Sequence, residues 1–202
     1  MTIYVATSNA GKLRDFHAAA REFAGIEIAS LPGLSEIPAP PEDEPTFEGN
    51  ARAKAVYYSR FAAGSWVIAD DSGLEVDALE GRPGVRSARF ALDTGEAVGP
   101  EGLDVANNTA LVKALEGETN RAGLYRCALA LAADGSVEMV SFGTLDGEIL
   151  ELPVGTSGFG YDPLFYSSEL ESTMAEAPME DRMRVSHRGR ALRALLRHWQ
   201  VC

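Results

Sequence analysis

The first third of the chain alternates short apolar runs with amphipathic stretches, and the pattern then changes to longer β-rich runs punctuated by Asp-Gly pairs. Ile3 to Ala6 reads as a first strand, and the loop Thr7 to Lys12 leads into a helix from about Lys12 to Ala24 that Gly25 closes as a C-terminal cap. A second strand, Ile26 to Ser30, precedes a proline-rich acidic loop, Leu31 to Pro45. Thr46 is placed to cap the next helix, Phe47 to Phe61, where Phe47, Ala51, Lys54, Ala55 and Tyr58 recur at helical spacing. Trp66 to Ala69 has the β-branched, apolar character of a buried strand, expected to end in a turn at Asp70-Asp71-Ser72-Gly73. Further on, a helix is expected near Asp104 to Leu115, ended by Gly117. Ala122 to Ala133, Val137 to Leu145 and Glu148 to Leu152 then read as a meander with turns at Asp134-Gly135 and Asp146-Gly147. Ser186 can cap a final amphipathic helix running to about Trp199. β-α units joined to a meander predict an α/β fold, a mixed sheet with helices on its faces, in a single domain spanning residues 1–202.

Three loops carry candidate chemistry. In Asp70-Asp71-Ser72-Gly73, adjacent carboxylates with a hydroxyl and a glycine suit a divalent cation and a phosphate; a solvated acidic turn is the plainer alternative. The cationic stretch Gly81 to Arg89 directly after it favours the site, because it suggests an anion held opposite a metal. Thr7, Ser8, Asn9, Ala10, Gly11 and Lys12 form a small-residue loop at a helix N-terminus with a lysine, which is either a triphosphate cradle or a plain strand-to-helix connection. It is not a Walker P-loop, since GxxxxGK[ST] is absent. Gly155 to Pro163 flanks Phe159 with glycines, as a base-stacking platform requires, although core burial of Phe159 and Tyr161 is the favoured explanation for this loop taken alone. His187 and Arg188 fall in the first turn of the last helix, where a cation opposes the helix dipole unless an anion or polar ligand compensates. Asn50 and Lys54 share a helix face, and surface placement is the default for both.

Composition narrows the partners. A net charge of −12 repels extended polyanions, so DNA or RNA is excluded as a favoured partner, and a small anionic substrate needs local cations and a metal. No apolar run approaches membrane-spanning length, which argues against a membrane partner. Cys127 and Cys202 are too few for a disulfide framework or a zinc cluster, and with no signal-peptide pattern a reducing, cytoplasmic setting is expected.

Five stretches occur together: ATSNAGK, TFEGNARAKA, ADDSGLEVDALEGRPGVRSARFA, SGFGYDPLF and SHRGRAL. In this order and spacing they resemble the inosine triphosphate pyrophosphatase family, the noncanonical purine nucleoside triphosphate pyrophosphatases, over nearly the whole chain. The resemblance implies a mixed, elongated central sheet with two lobes around a substrate cleft, Mg²⁺ dependence and a homodimer. It implies hydrolysis of ITP, dITP and XTP to the monophosphate and pyrophosphate; a pyrophosphatase for another modified nucleotide and a regulatory nucleotide-binding module are the rival readings. By motif, the Thr7 to Lys12 loop resembles the phosphate and substrate loop, Glu42 and Asp71 the metal ligands, and Asp71 also the proton acceptor. Ser72, Phe159, Gly160, Tyr161, Asp162, His187 and Arg188 resemble nucleotide contacts. Arg182 stands where the family usually has a lysine in the substrate site, and Gly49 where it usually has an acidic residue.

Overall fold

The structure, a computed structural model, describes residues 1–199; Cys202 lies outside them. Its elements in order are β1 (Thr2–Val5), α1 (Ala10–Ala20), β2 (Glu27–Ser30), α2 (Phe47–Ser59), β3 (Trp66–Val76), α3 (Phe90–Thr94), α4 (Leu103–Ala114), β4 (Ala122–Ala133), β5 (Ser136–Ile149), β6 (Phe165–Ser167), β7 (Ser172–Thr173), α5 (Met179–Val185) and α6 (His187–Trp199), with short 3-10 turns between some of them. The strands of the described residues form one seven-stranded sheet in the order β2-β1-β3-β4-β5-β6-β7. It is mixed, as expected: β1 pairs in parallel with β2 and β3, while β6 pairs antiparallel with β5 and β7.

The chain packs as two compact units, each assembled from separated segments. The first comprises Met1–Asp71, Cys127–Thr144 and the segment from Ser186 onward. Alternation along its parallel strands sorts the core: Ile3, Val5 and Ile68 bury with Phe16 of α1 and Leu192, Leu195 and Leu196 of α6, whereas Val67 buries with Leu31 and Tyr58 of α2. Parallel strands require helical crossovers, and covering both faces is their usual consequence. The second unit, Ser72–Arg126 and Leu145–Val185, has its own core around Leu74, Phe90, Leu111, Tyr125, Leu145, Tyr161, Leu164 and Phe165, in which the Tyr125 and Phe165 rings stack with centroids 4.2 Å apart. Strands β3, β4 and β5 contribute residues to both units.

Three sequence expectations are corrected. Asp70 to Gly73 is not a turn: β3 runs straight through it to Val76. Asp146-Gly147 is not a turn either, because β5 continues to Ile149. Both glycines admit a close approach rather than a reversal of the chain. A Cβ on Gly73 would lie 2.3 Å from the Ser87 hydroxyl and 2.6 Å from the Gly84 carbonyl oxygen, and one on Gly147 would lie 2.4 Å from the Tyr166 carbonyl oxygen. The true hairpin turn is Asp134-Gly135, where both residues have positive φ, 49° and 83°, as a two-residue turn demands. Helix α1 also stops at Ala20 rather than Ala24, and Gly25 serves a later turn at φ 82°.

The close approach at Gly73 sets a test. Gly73→Ala should destabilise the protein by about 1–3 kcal/mol, the usual consequence of overpacking. Gly99→Ala, whose new Cβ meets nothing nearer than 3.7 Å, should stay within about 0.5 kcal/mol. Chemical denaturation of both variants checks the pair; equal stability would show that Ser87 and Gly84 yield freely.

Candidate active site

In an extended strand successive side chains point to opposite faces, so Asp70 and Asp71 of β3 meet different neighbours. Each has its own cationic setting. Asp70, 3% exposed, takes Lys12 Nζ at 2.8 Å and lies 3.8 Å from Arg188 Nε, both measured to Oδ2. Asp71 takes Lys54 Nζ on Oδ1 at 3.2 Å and Asn50 Nδ2 on Oδ2 at 3.0 Å. Burial opposes ionisation of Asp70, but Lys12, Arg188 and Lys54 outweigh it and hold its carboxyl well below the usual range. For Asp71 burial wins over Lys54 and Asn50, and its carboxyl is pushed up. Lys54 also loses hydration, yet Asp71, Asp70 and Glu42 together keep it firmly protonated.

Asn50 and Lys54 are not the surface residues expected. Both are buried, and they fall within the apolar stripe of Phe47, Ala51, Ala55 and Tyr58 rather than opposite it. That interleaving was the available signal, since a polar residue on a helix's buried face needs a buried partner. Asn50 is also the hinge pin of the acidic loop. Its Oδ1 accepts from the Glu44 N–H at 3.1 Å and its Nδ2 approaches the Glu44 carbonyl at 3.4 Å while reaching Asp71. Gly49 makes this possible, because a Cβ there would fall 2.8 Å from that of Glu44. Lys54 Nζ spans the two expected metal ligands, 3.3 Å from Glu42 Oε1 and 3.2 Å from Asp71 Oδ1.

In the first loop, Asn9 caps α1, its Oδ1 accepting from Gly11 N–H at 2.8 Å and Lys12 N–H at 3.1 Å. Those two N–H groups are therefore engaged within the helix cap. Thr7 Oγ1 accepts from the Asn9 N–H, while Ser8 and Ala10 are exposed. Thr46 and Ser186 cap α2 and α6 as expected. Arg188, buried at the start of α6, meets Asp15 at 3.4 Å as well as Asp70, which supplies the anions that the helix dipole calls for. His187 is not a cation. Burial and then the Arg188 charge hold its imidazole well below the usual histidine value, so it is neutral near neutrality.

The remaining expected site residues lie in the second unit. Ser72 follows Asp71 in β3 and is partly buried. Phe159 is partly buried, its N–H donating to Asp162 Oδ2 at 3.0 Å, and Tyr125 donates its hydroxyl to Asp162 Oδ1 at 3.2 Å. Tyr161 is core: the residue is 4% exposed and its hydroxyl donates to the Ser87 carbonyl at 2.8 Å. Burial and the nearby Asp104 charge push that phenol up, so it stays protonated. Arg182 of α5 is buried, with one terminal nitrogen donating to the Met174 carbonyl at 3.3 Å. In the cationic stretch after β3, Arg82 donates to the Leu79 carbonyl and Arg86 pairs with Asp93, and Ser87 ties the Leu74 N–H to the Gly84 carbonyl.

The donor set permits a hard cation. No group of three or more His, Cys, Asp or Glu side chains poised for a metal occurs among the described residues. Glu42 and Asp71 both pair with the Lys54 ammonium, which brings them near one another, and both offer only oxygen. Mg²⁺ characteristically uses one or two carboxylates and completes its shell with water and phosphate, so the pair fits it better than a metal that needs a full protein cage.

Comparison with known proteins places this architecture. The Ham1 family model matches residues 3–198. The chain belongs to the Ham1 family. A dITP/XTP pyrophosphatase of Acidobacterium capsulatum is 57% identical to it over 198 residues, 97% of each chain. One from Exiguobacterium sp. is 45% identical over 195 residues, covering 96% of this chain and 95% of its own. Among solved structures, the Staphylococcus aureus Ham1 protein superposes with a TM-score of 0.82 at 35% identity, covering 100% of this chain and 99% of that one. The nucleoside-triphosphatase / dITP/XTP pyrophosphatase of Mycobacterium abscessus gives 0.71 at 39% identity over 97% and 99%. The resemblance carried by the five motifs is thereby borne out, and so is the mixed α/β fold. No helix of this Ham1 family member's described residues is long and apolar enough to cross a membrane.

Neutral, buried His187 has a measurable consequence. The unfolded chain protonates this residue below its ordinary value of 6.5, whereas the fold resists doing so. Stability therefore rises with pH up to that value and falls on acidification below it. The melting temperature should drop between about pH 7 and about pH 5, and His187→Gln should flatten that slope. An identical slope in the variant would place the acid sensitivity on another group.

Proposed function

We propose that this protein hydrolyses ITP, dITP and XTP to the nucleoside monophosphate and pyrophosphate, removing deaminated purine nucleotides from the precursor pool. The observation that carries the reading is the setting of Asp71: a buried carboxylate with each oxygen assigned to a different partner, tied through Asn50 to the acidic loop and through Lys54 to Glu42. Such over-determination of one carboxylate is what orienting a water requires, and simple binding would not need it. The relatives' names, dITP/XTP pyrophosphatase, support the substrate class.

In this reading water adds across the α–β anhydride bond. Its oxygen becomes a phosphate oxygen of one product, its proton is released, and the bridging oxygen departs with the other product. Asp71 orients the water and accepts the proton, while Lys12 and the Thr7 to Gly11 loop hold the polyphosphate. Glu42 and Asp71 hold Mg²⁺, which when bound neutralises phosphate charge and polarises the phosphorus centre. Asp70 keeps Lys12 in place by pairing with its ammonium. Ser72, Asp162 and Arg182 are assigned to the nucleotide, with Arg182 filling by charge the role of the usual lysine.

His187 and Arg188 read the base. A guanidinium only donates, which suits the six-oxo group of hypoxanthine and xanthine and opposes the six-amino group of adenine. Phe159 stacks on the base without choosing among purines; Tyr161, being core, supports the loop through its backbone and its bond to Ser87. The enzyme is taken to work as one catalytic domain, as a cytoplasmic homodimer, a state that light scattering would check.

The reading is tested by pyrophosphate release from ITP, dITP, XTP, ATP and GTP with and without Mg²⁺. Release should be Mg²⁺-dependent and favour the first three, without orthophosphate. Asp71→Asn should lower kcat by roughly a hundredfold or more with its melting transition retained, the range expected for loss of a general base. Near wild-type turnover in that variant, or steady orthophosphate from the γ position, would overturn the assignment.

A further inference from the structure

Gly160 is held in an unusual way. It has positive φ, 63°, and both of its backbone polar groups are taken by side chains of one helix. Its N–H donates to Asp104 Oδ2 at 2.8 Å, and its carbonyl accepts from Asn108 Nδ2 at 3.0 Å. Asp104 and Asn108 stand four residues apart on α4, hence one above the other on the same face. The other amide atom, Asn108 Oδ1, is buried with no hydrogen-bond partner. Leaving such an atom unpaired costs free energy that a small apolar side chain would avoid. The hydrogen bond that Asn108 makes through its side chain is thus the one to Gly160.

The effect falls on the preceding residue. Phe159 is secured on its N-terminal side by its own N–H to Asp162, and on its C-terminal side by the gripped Gly160. Asp162 is itself set by Tyr125, and it lies so close to Gly158 that a Cβ there would come within 2.0 Å of Oδ2. Clamped between these two fixtures, the backbone that carries a partly exposed aromatic residue loses little further freedom when a flat ligand stacks on it, and that saving appears as affinity.

We propose that Asp104 and Asn108 are positioning residues for nucleobase binding: a two-pronged clamp from α4 that fixes Gly160 and so presents Phe159 to the purine. The inference rests on the reading of Phe159 as the stacking residue. It assigns the clamp to the base and not to the phosphates or to the chemical step.

The test compares ligands with and without a base. Wild type, Asp104→Ala, Asp104→Asn, Asn108→Ala and Asn108→Asp are assayed for kcat and KM with ITP, and for binding of IMP and of inorganic tripolyphosphate by calorimetry. Asn108→Asp is nearly isosteric but turns the donor towards Gly160 into an acceptor. Loss of one such bond should raise the ITP KM and the IMP Kd about five- to tenfold, with kcat and the tripolyphosphate Kd within about twofold. Asp104→Asn, which keeps an acceptor, should recover most of the loss seen in Asp104→Ala. Parallel weakening of tripolyphosphate, or IMP binding unchanged in both Asp104→Ala and Asn108→Asp, would overturn the clamp while active wild type leaves the functional reading standing. Wild type that neither turns over ITP nor binds IMP would overturn that reading and the clamp with it.

Discussion

The candidate site depends on one geometric constraint: two neighbouring carboxylates in an extended strand must face opposite ways. At Asp70 and Asp71 this divides the charge of the site into two compartments. One holds Lys12, Arg188 and Asp15, supplied by α1 and α6; the other holds Lys54, Asn50 and Glu42, supplied by α2 and the acidic loop. The hydrophobic core obeys the same alternation three residues earlier, where Val67 and Ile68 enter separate clusters. A shift of register by one residue in β3 would exchange the partners of both carboxylates and turn both apolar residues to the wrong faces. Packing and electrostatics thus enforce the same register.

The charge balance of the chain acquires meaning at this point. A net charge of −12 makes the protein as a whole repel anions, yet Lys12, Lys54 and Arg188 are gathered near two buried aspartates. Buried ions of one sign are costly, and interleaved opposite charges with hydrogen bonds reduce that cost. The arrangement differs between the two carboxylates. Asp70 is locked in its ionised form as a structural counter-charge, whereas Asp71 is held less tightly as an anion because its burial outweighs its partners. One strand therefore supplies a fixed ion and, next to it, a carboxylate that remains adjustable.

Much was legible in the sequence. Strands β1, β2 and β4, the caps at Thr46 and Ser186, the Asp134-Gly135 turn and the family resemblance follow from local signals: apolar runs, capping residues, turn dipeptides and five spaced motifs. These signals act over a few residues, so they survive without knowledge of the fold. The need of the first turn of α6 for an anion was legible too, as a problem posed by the helix dipole, though not its solution in Asp15 and Asp70.

Tertiary structure decided what depends on neighbours distant in the chain. Gly73 and Gly147 look like turn residues locally, and only the approach of Ser87 and Tyr166 shows that they lie inside strands that cannot accept a side chain. Asn50 and Lys54 look like ordinary helix-surface residues until β3 brings Asp71 to them. Tyr161 and Phe159 are near neighbours in one glycine-rich loop, yet one ring is core and the other partly exposed, which loop composition cannot distinguish. The sequence by itself determined β1, β2, β4 and the helices α1, α2, α4 and α6, the family and the chemical types gathered for the site, but not the short elements α3, α5, β6 and β7. Which carboxylate is a fixed counter-charge, which is adjustable and which polar residues are buried were decided by the fold, because desolvation and charge pairing arise only when distant segments exclude water together.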